Sequence, residues 1–176
     1  SVNWIDRKIF SECQAFTEIE IEQASVIDQE AFLNCKNLER VSIKNGFVTI
    51  WDRAFSGCTS LKEVNIGANV QSIKTRAFSG CKNLTTLKLS NMVQEIENNA
   101  FAGCDGLSQV IMPKEITTVG IGSFTQCDIY WQGEKLTFES EEKESQFFAQ
   151  MTGTMYIPEN SSFWKKIQET YPNLSW

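Results

Sequence analysis

The sequence predicts a β-rich repeat solenoid, with stacked parallel strands at a 23-residue period and a mixed α/β cap at its C-terminal end. Three observations carry that reading. Phe32, Phe55, Phe78, Phe101 and Phe124 recur every 23 residues, and Cys35, Cys58, Cys81, Cys104 and Cys127 keep step three places behind them. Downstream of each cysteine except the last stands a full Val-x-Ile type step, whose period of two is that of a short strand burying alternate side chains.

The first repeat is offset. Phe10, Cys13, Phe16, Ile19 and Ile21 align with Phe32, Cys35, Leu38, Val41 and Ile43 at a spacing of 22, one turn residue short. Ile5 aligns with Ile27 and Ile50, and Val2 falls on the Phe47 column, so the chain opens in mid-repeat and is expected to continue upstream of Ser1. The full repeat reads A-F-x-G-C-x-x-L-x-x-V-x-I, a turn, then V-x-x-I, over 54–76 and again over 77–99.

Its apolar columns begin with Leu38, Leu61, Leu84 and Leu107, then Val41, Val64, Leu87 and Val110, then Ile43, Ile66, Leu89 and Met112. After the turn come Phe47, Val70, Val93 and Ile116, then Ile50, Ile73, Ile96 and Val119. The V-x-x-I segment is expected to return along the opposite wall, with the Phe and Leu columns filling the space between. Gly57, Gly80 and Gly103 precede the cysteine and predict a tight corner with φ > 0, while Asn34 and Gln126 hold that place in the outer repeats.

After Cys127 the pattern wears down. Ile129-Tyr130-Trp131 reads as a shortened strand, Glu139–Glu144 as a solvated loop without calcium-loop spacing, and Phe147-Phe148 as a worn Ala-Phe step. Met155-Tyr156-Ile157-Pro158 copies Val110-Ile111-Met112-Pro113. Asn160-Ser161-Ser162 offers N-caps for a short helix with Phe163, Trp164, Ile167 and Tyr171 on one face. Residues 1–127 are therefore read as repeats, and 128–176 as a degenerate repeat and capping segment.

Composition narrows the function. With 16 basic and 22 acidic side chains the net charge is −6, and no Lys/Arg cluster offers the footprint of a nucleic-acid binder. No apolar run is long enough for a spanning helix, so membrane insertion is not expected. Histidine is absent, which removes Ser-His-Asp and Cys-His nucleophile systems and His-based zinc sites. Without a Gly-rich phosphate loop or a CxxC pair, the sequence points away from an enzyme, a cofactor or a metal.

The segments A-F-S-G-C-T-S-L-K-E-V-N-I at 54–66 and A-F-S-G-C-K-N-L-T-T-L-K-L at 77–89 resemble the BspA-type leucine-rich repeat, and 153–167 resembles the closing segment of such proteins. The proline common after the strand stands only at Pro113, and the first repeat has Ile9-Phe10 in place of Ala-Phe. The resemblance implies an extracellular or cell-surface protein used in adhesion and protein binding.

Two columns are candidate sites. The outward residues of the strands form a face of Arg40, Ser42, Glu63, Asn65, Thr86, Lys88, Gln109, Ile111, Tyr130 and Tyr156, preceded by Glu18 and Glu20. It turns from acidic to apolar and aromatic along the stack. Either this end recognises a partner, or the C-terminal cap folds over Ile111 and Tyr130. The partner class is another protein, with a glycan as the second candidate. A structural spacer for a domain upstream is the alternative function. The cysteine column is read as buried free thiols filling space, because a ladder spreads its sulfurs along a line instead of converging them on a metal. Trp51 is expected to be exposed on the return wall.

Overall fold

The computed structural model describes residues 4–45 and 48–176. Strands alternate between two walls along the chain. They begin with β1 (Trp4–Ile5, back), β2 (Glu18–Gln23, front), β3 (Val26–Ile27, back), β4 (Arg40–Asn45, front) and β5 (Val48–Ile50, back). Next come β6 (Glu63–Ile66, front), β7 (Val70–Ile73, back), β8 (Thr86–Lys88, front) and β9 (Glu95–Ile96, back). β10 (Gln109–Met112, front), β11 (Thr118–Val119, back) and β12 (Asp128–Trp131, front) follow, then α1 (Glu141–Ala149), β13 (Met155–Tyr156, front) and α2 (Ser162–Thr170).

The back wall is one parallel sheet in the order β1-β3-β5-β7-β9-β11. Its first step keeps the predicted spacing of 22, Ile5 opposite Ile27, and its second restores 23, Ile27 opposite Ile50. The front wall is two parallel sheets, β2-β4-β6-β8 and β10-β12-β13. The break falls where the repeat carries Leu87 and Leu89 in place of β-branched residues, and both are half-buried while their counterparts Val64 and Ile66 are buried. Leucine fits a pleated strand less well than Val or Ile, and β8 is only three residues long. Phe47 and Val2, assigned to an apolar column, lie outside the described residues; β5 pairs Val48 with Val70 and shifts register before Thr49.

A third ladder runs along the corner that joins back wall to front. The amides of Phe32, Phe55 and Phe78 donate to Ala54, Ala77 and Ala100 of the next repeat at 2.7–2.8 Å. Those of Asn34, Gly57 and Gly80 do the same to Ser56, Ser79 and Ala102. Gly57, Gly80 and Gly103 have φ of 73°, 76° and 70°, and Asn34 has 57°, as the spacing predicts. A second left-handed column stands four residues earlier, at Glu30, Arg53, Arg76, Asn99 and Gly122. Each turn from Glu30 to Gly103 thus has two left-handed residues, and alternate amides of the corner point along the stack axis.

Rings of Phe10, Phe32, Phe55, Phe78, Phe101 and Phe124 form a continuous stack with centroids 5.0–5.2 Å apart. Planes stay within 5° in the middle and open to 20° at Phe124, where Gln126 stands in the glycine column and a cavity of about 80 Å³ separates the corners.

The cap departs from expectation in one place. Glu141–Glu144 is the first turn of α1, not a loop, because Ser140 caps it by accepting from the Lys143 amide and the carboxylates sit at the positive end of the helix dipole. Phe147 and Phe148 are on that helix, packed against each other and against Phe138, so they are not a worn corner. α2 begins as predicted at Ser161, with Trp164 and Ile167 buried and Trp164 Nε1 donating to the Gly133 carbonyl at 3.0 Å.

Candidate functional face

Each front strand separates its residues by the pleat. Val41, Ile43, Val64, Ile66, Val110, Met112, Ile129, Trp131 and Met155 point in and are buried. The alternate residues point out, and strand register sets them in lines. Glu20, Ser42, Asn65 and Lys88 are opposite one another in turn, as are Ile111, Tyr130 and Tyr156 beyond the break. Glu18, Arg40, Glu63 and Thr86 form the flanking line, continued by Gln109. All ten candidate residues therefore lie on one wall, in two clusters.

The N-terminal cluster is polar and internally paired. Arg40 bonds Glu18, Lys44 meets Glu20 at 2.5 Å, Lys88 meets Glu63 at 3.7 Å, and Lys62 meets Glu39 at 2.9 Å. The hydrogen bond from Lys62 holds the Glu39 carboxyl below its usual range, and that to Glu20 raises Lys44. A shallow concavity of about 320 Å³ lies between Glu18, Arg40, Ser42, Glu63 and Asn65.

The C-terminal cluster has no charge on its central line. Ile111 is 57% exposed and Tyr156 44%, with Tyr130 half-buried between them. The two tyrosine rings stack at 4.2 Å, 4° from parallel, and the adjoining Tyr156 phenol raises the Tyr130 phenol above its ordinary value. The cap seals the end of the core and leaves this face open. The sequence pattern placed both tyrosines in one column, and the register of β12 with β13 brings their rings into contact.

Elsewhere, Trp51 is 43% exposed on the back wall, as expected, and Trp4 is 56% exposed. The cysteine column is buried from Cys35 to Cys127, with Cys13 half-buried, and all six are free. The thiols do more than fill space. Those of Cys35, Cys58, Cys81 and Cys104 donate to the carbonyls of Phe10, Phe32, Phe55 and Phe78 at 3.1–3.3 Å. Burial pushes Cys127 up to about 12.

The profile of the BspA type leucine rich repeat region matches in six copies across residues 2–130. Among solved structures, a leucine-rich repeat protein from Bacteroides ovatus is 25% identical with a TM-score of 0.68, over 88% of this chain and 40% of that one. A leucine rich cell surface protein from Faecalibacterium prausnitzii is 26% identical with a TM-score of 0.57, over 76% and 44%. The T. pallidum leucine rich repeat protein shares the fold at 24% identity and a TM-score of 0.61, over 65% and 58%. The chain thus spans between about two fifths and three fifths of those proteins. Among curated proteins none matches with significance. Matched over residues 2–130 of 176, the chain belongs to the BspA-type leucine-rich-repeat family, repeat proteins that are typically non-catalytic and often surface-associated.

Proposed function

We propose that this chain is a non-catalytic binding module, secreted or held at the cell surface, that recognises another protein through the front face. The ridge of Ile111, Tyr130 and Tyr156 is the energetic centre of that contact. Arg40, Ser42, Glu63, Asn65, Thr86, Lys88 and Gln109 form the polar remainder that sets specificity.

The carrying observation is the division of the face. The cations Arg40, Lys44 and Lys88 in its N-terminal half are each paired within the chain, while Ile111 and Tyr156 stay open to solvent at a position where every inward neighbour is buried. Aromatic and aliphatic residues at the centre of a contact with a polar surround are the common arrangement of protein interfaces. A protein partner is favoured over a glycan because the stack takes up one ring face of each tyrosine and sets them in line with the aliphatic Ile111. Sugars are held chiefly on open ring faces.

Capture from host matrix proteins and bacterial surface extract tests this. Ile111→Asp and Tyr156→Asp should each reduce capture at least tenfold, as loss of a central anchor does, with the melting temperature unchanged. Equal capture by the variants, or loss only alongside unfolding, sinks the reading.

A further inference from the structure

The chain has three tyrosines, and two of them meet ring to ring on the front wall. β12 and β13 pair in parallel with Tyr130 opposite Tyr156, so strand register alone brings both side chains to one side of the sheet. Their rings lie 4.2 Å apart and 4° from parallel. Both strands are also held from outside the pair. β12 pairs with β10 on its other side, and the Met155 amide of β13 donates to the Ser175 carbonyl at 2.8 Å.

Two phenols held in this way are reactants of an oxidative coupling whose approach is already set, and such positioning removes much of the barrier to joining them. Tyr156 is 44% exposed and Tyr130 half-buried, so an oxidant at the surface reaches the pair. Their oxidisable neighbours in sequence, Trp131 and Met155, point inward and are buried. Tyr171 stands apart: its hydroxyl meets Glu144 and Ser145 at 3.2 Å, and its ring packs on Phe148. All six cysteines are free, so no disulfide fastens the cap.

We infer that Tyr130 and Tyr156 are a site of oxidative modification, joined by a haem peroxidase and hydrogen peroxide into a dityrosine that fastens β13 to β12. Each phenol gives up one hydrogen atom, an electron and a proton together. The two phenoxyl radicals couple through carbons ortho to their oxygens, forming one carbon–carbon bond as the exposed rings tilt. Each coupled carbon then passes its hydrogen to the oxygen of its own ring, which restores both phenols. Hydrogen peroxide takes up the two electrons and two protons and leaves as two waters. The link closes the loop that carries α1, and such closure stabilises by restricting the unfolded chain. It needs only the geometry of the pair, not the partner proposed for the ridge.

The 176-residue chain, dilute, is treated with a haem peroxidase and hydrogen peroxide. Trypsin cuts after Lys114, Lys135, Lys143, Lys165 and Lys166, so the three tyrosines fall on peptides 115–135, 144–165 and 167–176. Blue dityrosine fluorescence should appear on a product that still runs as a monomer. Mass spectrometry should find peptides 115–135 and 144–165 joined with the loss of two hydrogens. Tyr130→Phe and Tyr156→Phe should each lose that product while melting as the parent does, and Tyr171→Phe should keep it. The joined chain should melt above the untreated one, and coupling in urea should be slower. No joined peptide, joining through 167–176, dimers as the main product, equal coupling in urea, or no rise in melting temperature overturns the inference.

Discussion

Phe78→Ala removes the middle ring of the aromatic stack. Phe78 is fully buried, with the rings of Phe55 and Phe101 at 5.1 and 5.2 Å, inclined by 4° and 3°. Deleting a buried phenylalanine costs about 3–5 kcal/mol, and each aromatic pair adds about 0.5–1.5 kcal/mol beyond its area. Two pairs are lost here, and the corner cannot collapse into the gap because the Phe78 amide is tied to Ala100 at 2.8 Å. The cost therefore falls at the upper end, about 4–5 kcal/mol. Phe124 has one stacked neighbour among the described residues, inclined by 20°, and already borders a cavity. Its replacement by alanine should cost about 3 kcal/mol. At about 2–4 °C per kcal/mol for a domain of this size, Phe78→Ala should melt roughly 10–15 °C below the parent. Urea unfolding followed by circular dichroism measures both. A cost below about 2 kcal/mol for Phe78→Ala, or an equal cost at the two positions, would refute the stack as a source of stability.

A thiol reagent should label Cys13 in the native protein and reach Cys35, Cys58, Cys81, Cys104 and Cys127 only on unfolding; fast native labelling of several thiols would contradict their burial. Arg76 has φ of 57°, a conformation that costs a side-chain-bearing residue about 1–2 kcal/mol and glycine almost nothing. After the entropy cost of glycine, Arg76→Gly should stabilise by up to about 1 kcal/mol, and a clear loss in urea titration would show that the arginine side chain outweighs the strain. On the back wall Glu95 accepts from Lys74 at 2.8 Å and Ser72 at 2.7 Å, and the bond from Lys74 holds its carboxyl below the usual range. That contribution is complete above the unfolded value of about 4.3 and is lost as pH falls through the lower folded value. Lys74→Met should therefore flatten the acid limb of the melting-temperature profile below that pH; superimposable limbs would remove the ion pair from the account.

Most of the fold was legible because a solenoid writes its contacts as a period. The Phe, Leu and Ile columns meet their own copies one turn away, so spacing alone places them, including the 22-residue step at Phe10 and Phe32. What escaped was whatever depends on contacts outside the period. Phe147 keeps the 23-residue spacing from Phe124, yet it lies in α1, because Ser140 and three acidic residues make that stretch a better helix start than a corner. The left-handed column at Arg53 and Arg76 was hidden since neither residue favours that conformation; Asn99 and Gly122 in the same column were the available signal. The break between β8 and β10 follows from two leucines that a hydrophobic pattern cannot tell from valine or isoleucine. The ten face residues were readable from the pleat alone, but their division into a paired and an open cluster required distances.

That division has an energetic basis in the pleat. Stability resides in inward columns, in rings stacked at about 5 Å and in amide ladders on three sides. An outward residue such as Ile111 contributes to none of these, and its replacement by aspartate leaves Val110 and Met112 buried as before. Surface substitutions of this kind usually change stability by no more than about 0.5 kcal/mol. The face can therefore vary in sequence while the stack stays folded, so each repeat adds two or three outward residues without renegotiating the core. It also means that a binding defect in Ile111→Asp is interpretable: the same substitution one position away, at Val110, would unfold the repeat, whereas at Ile111 only a partner is positioned to notice it.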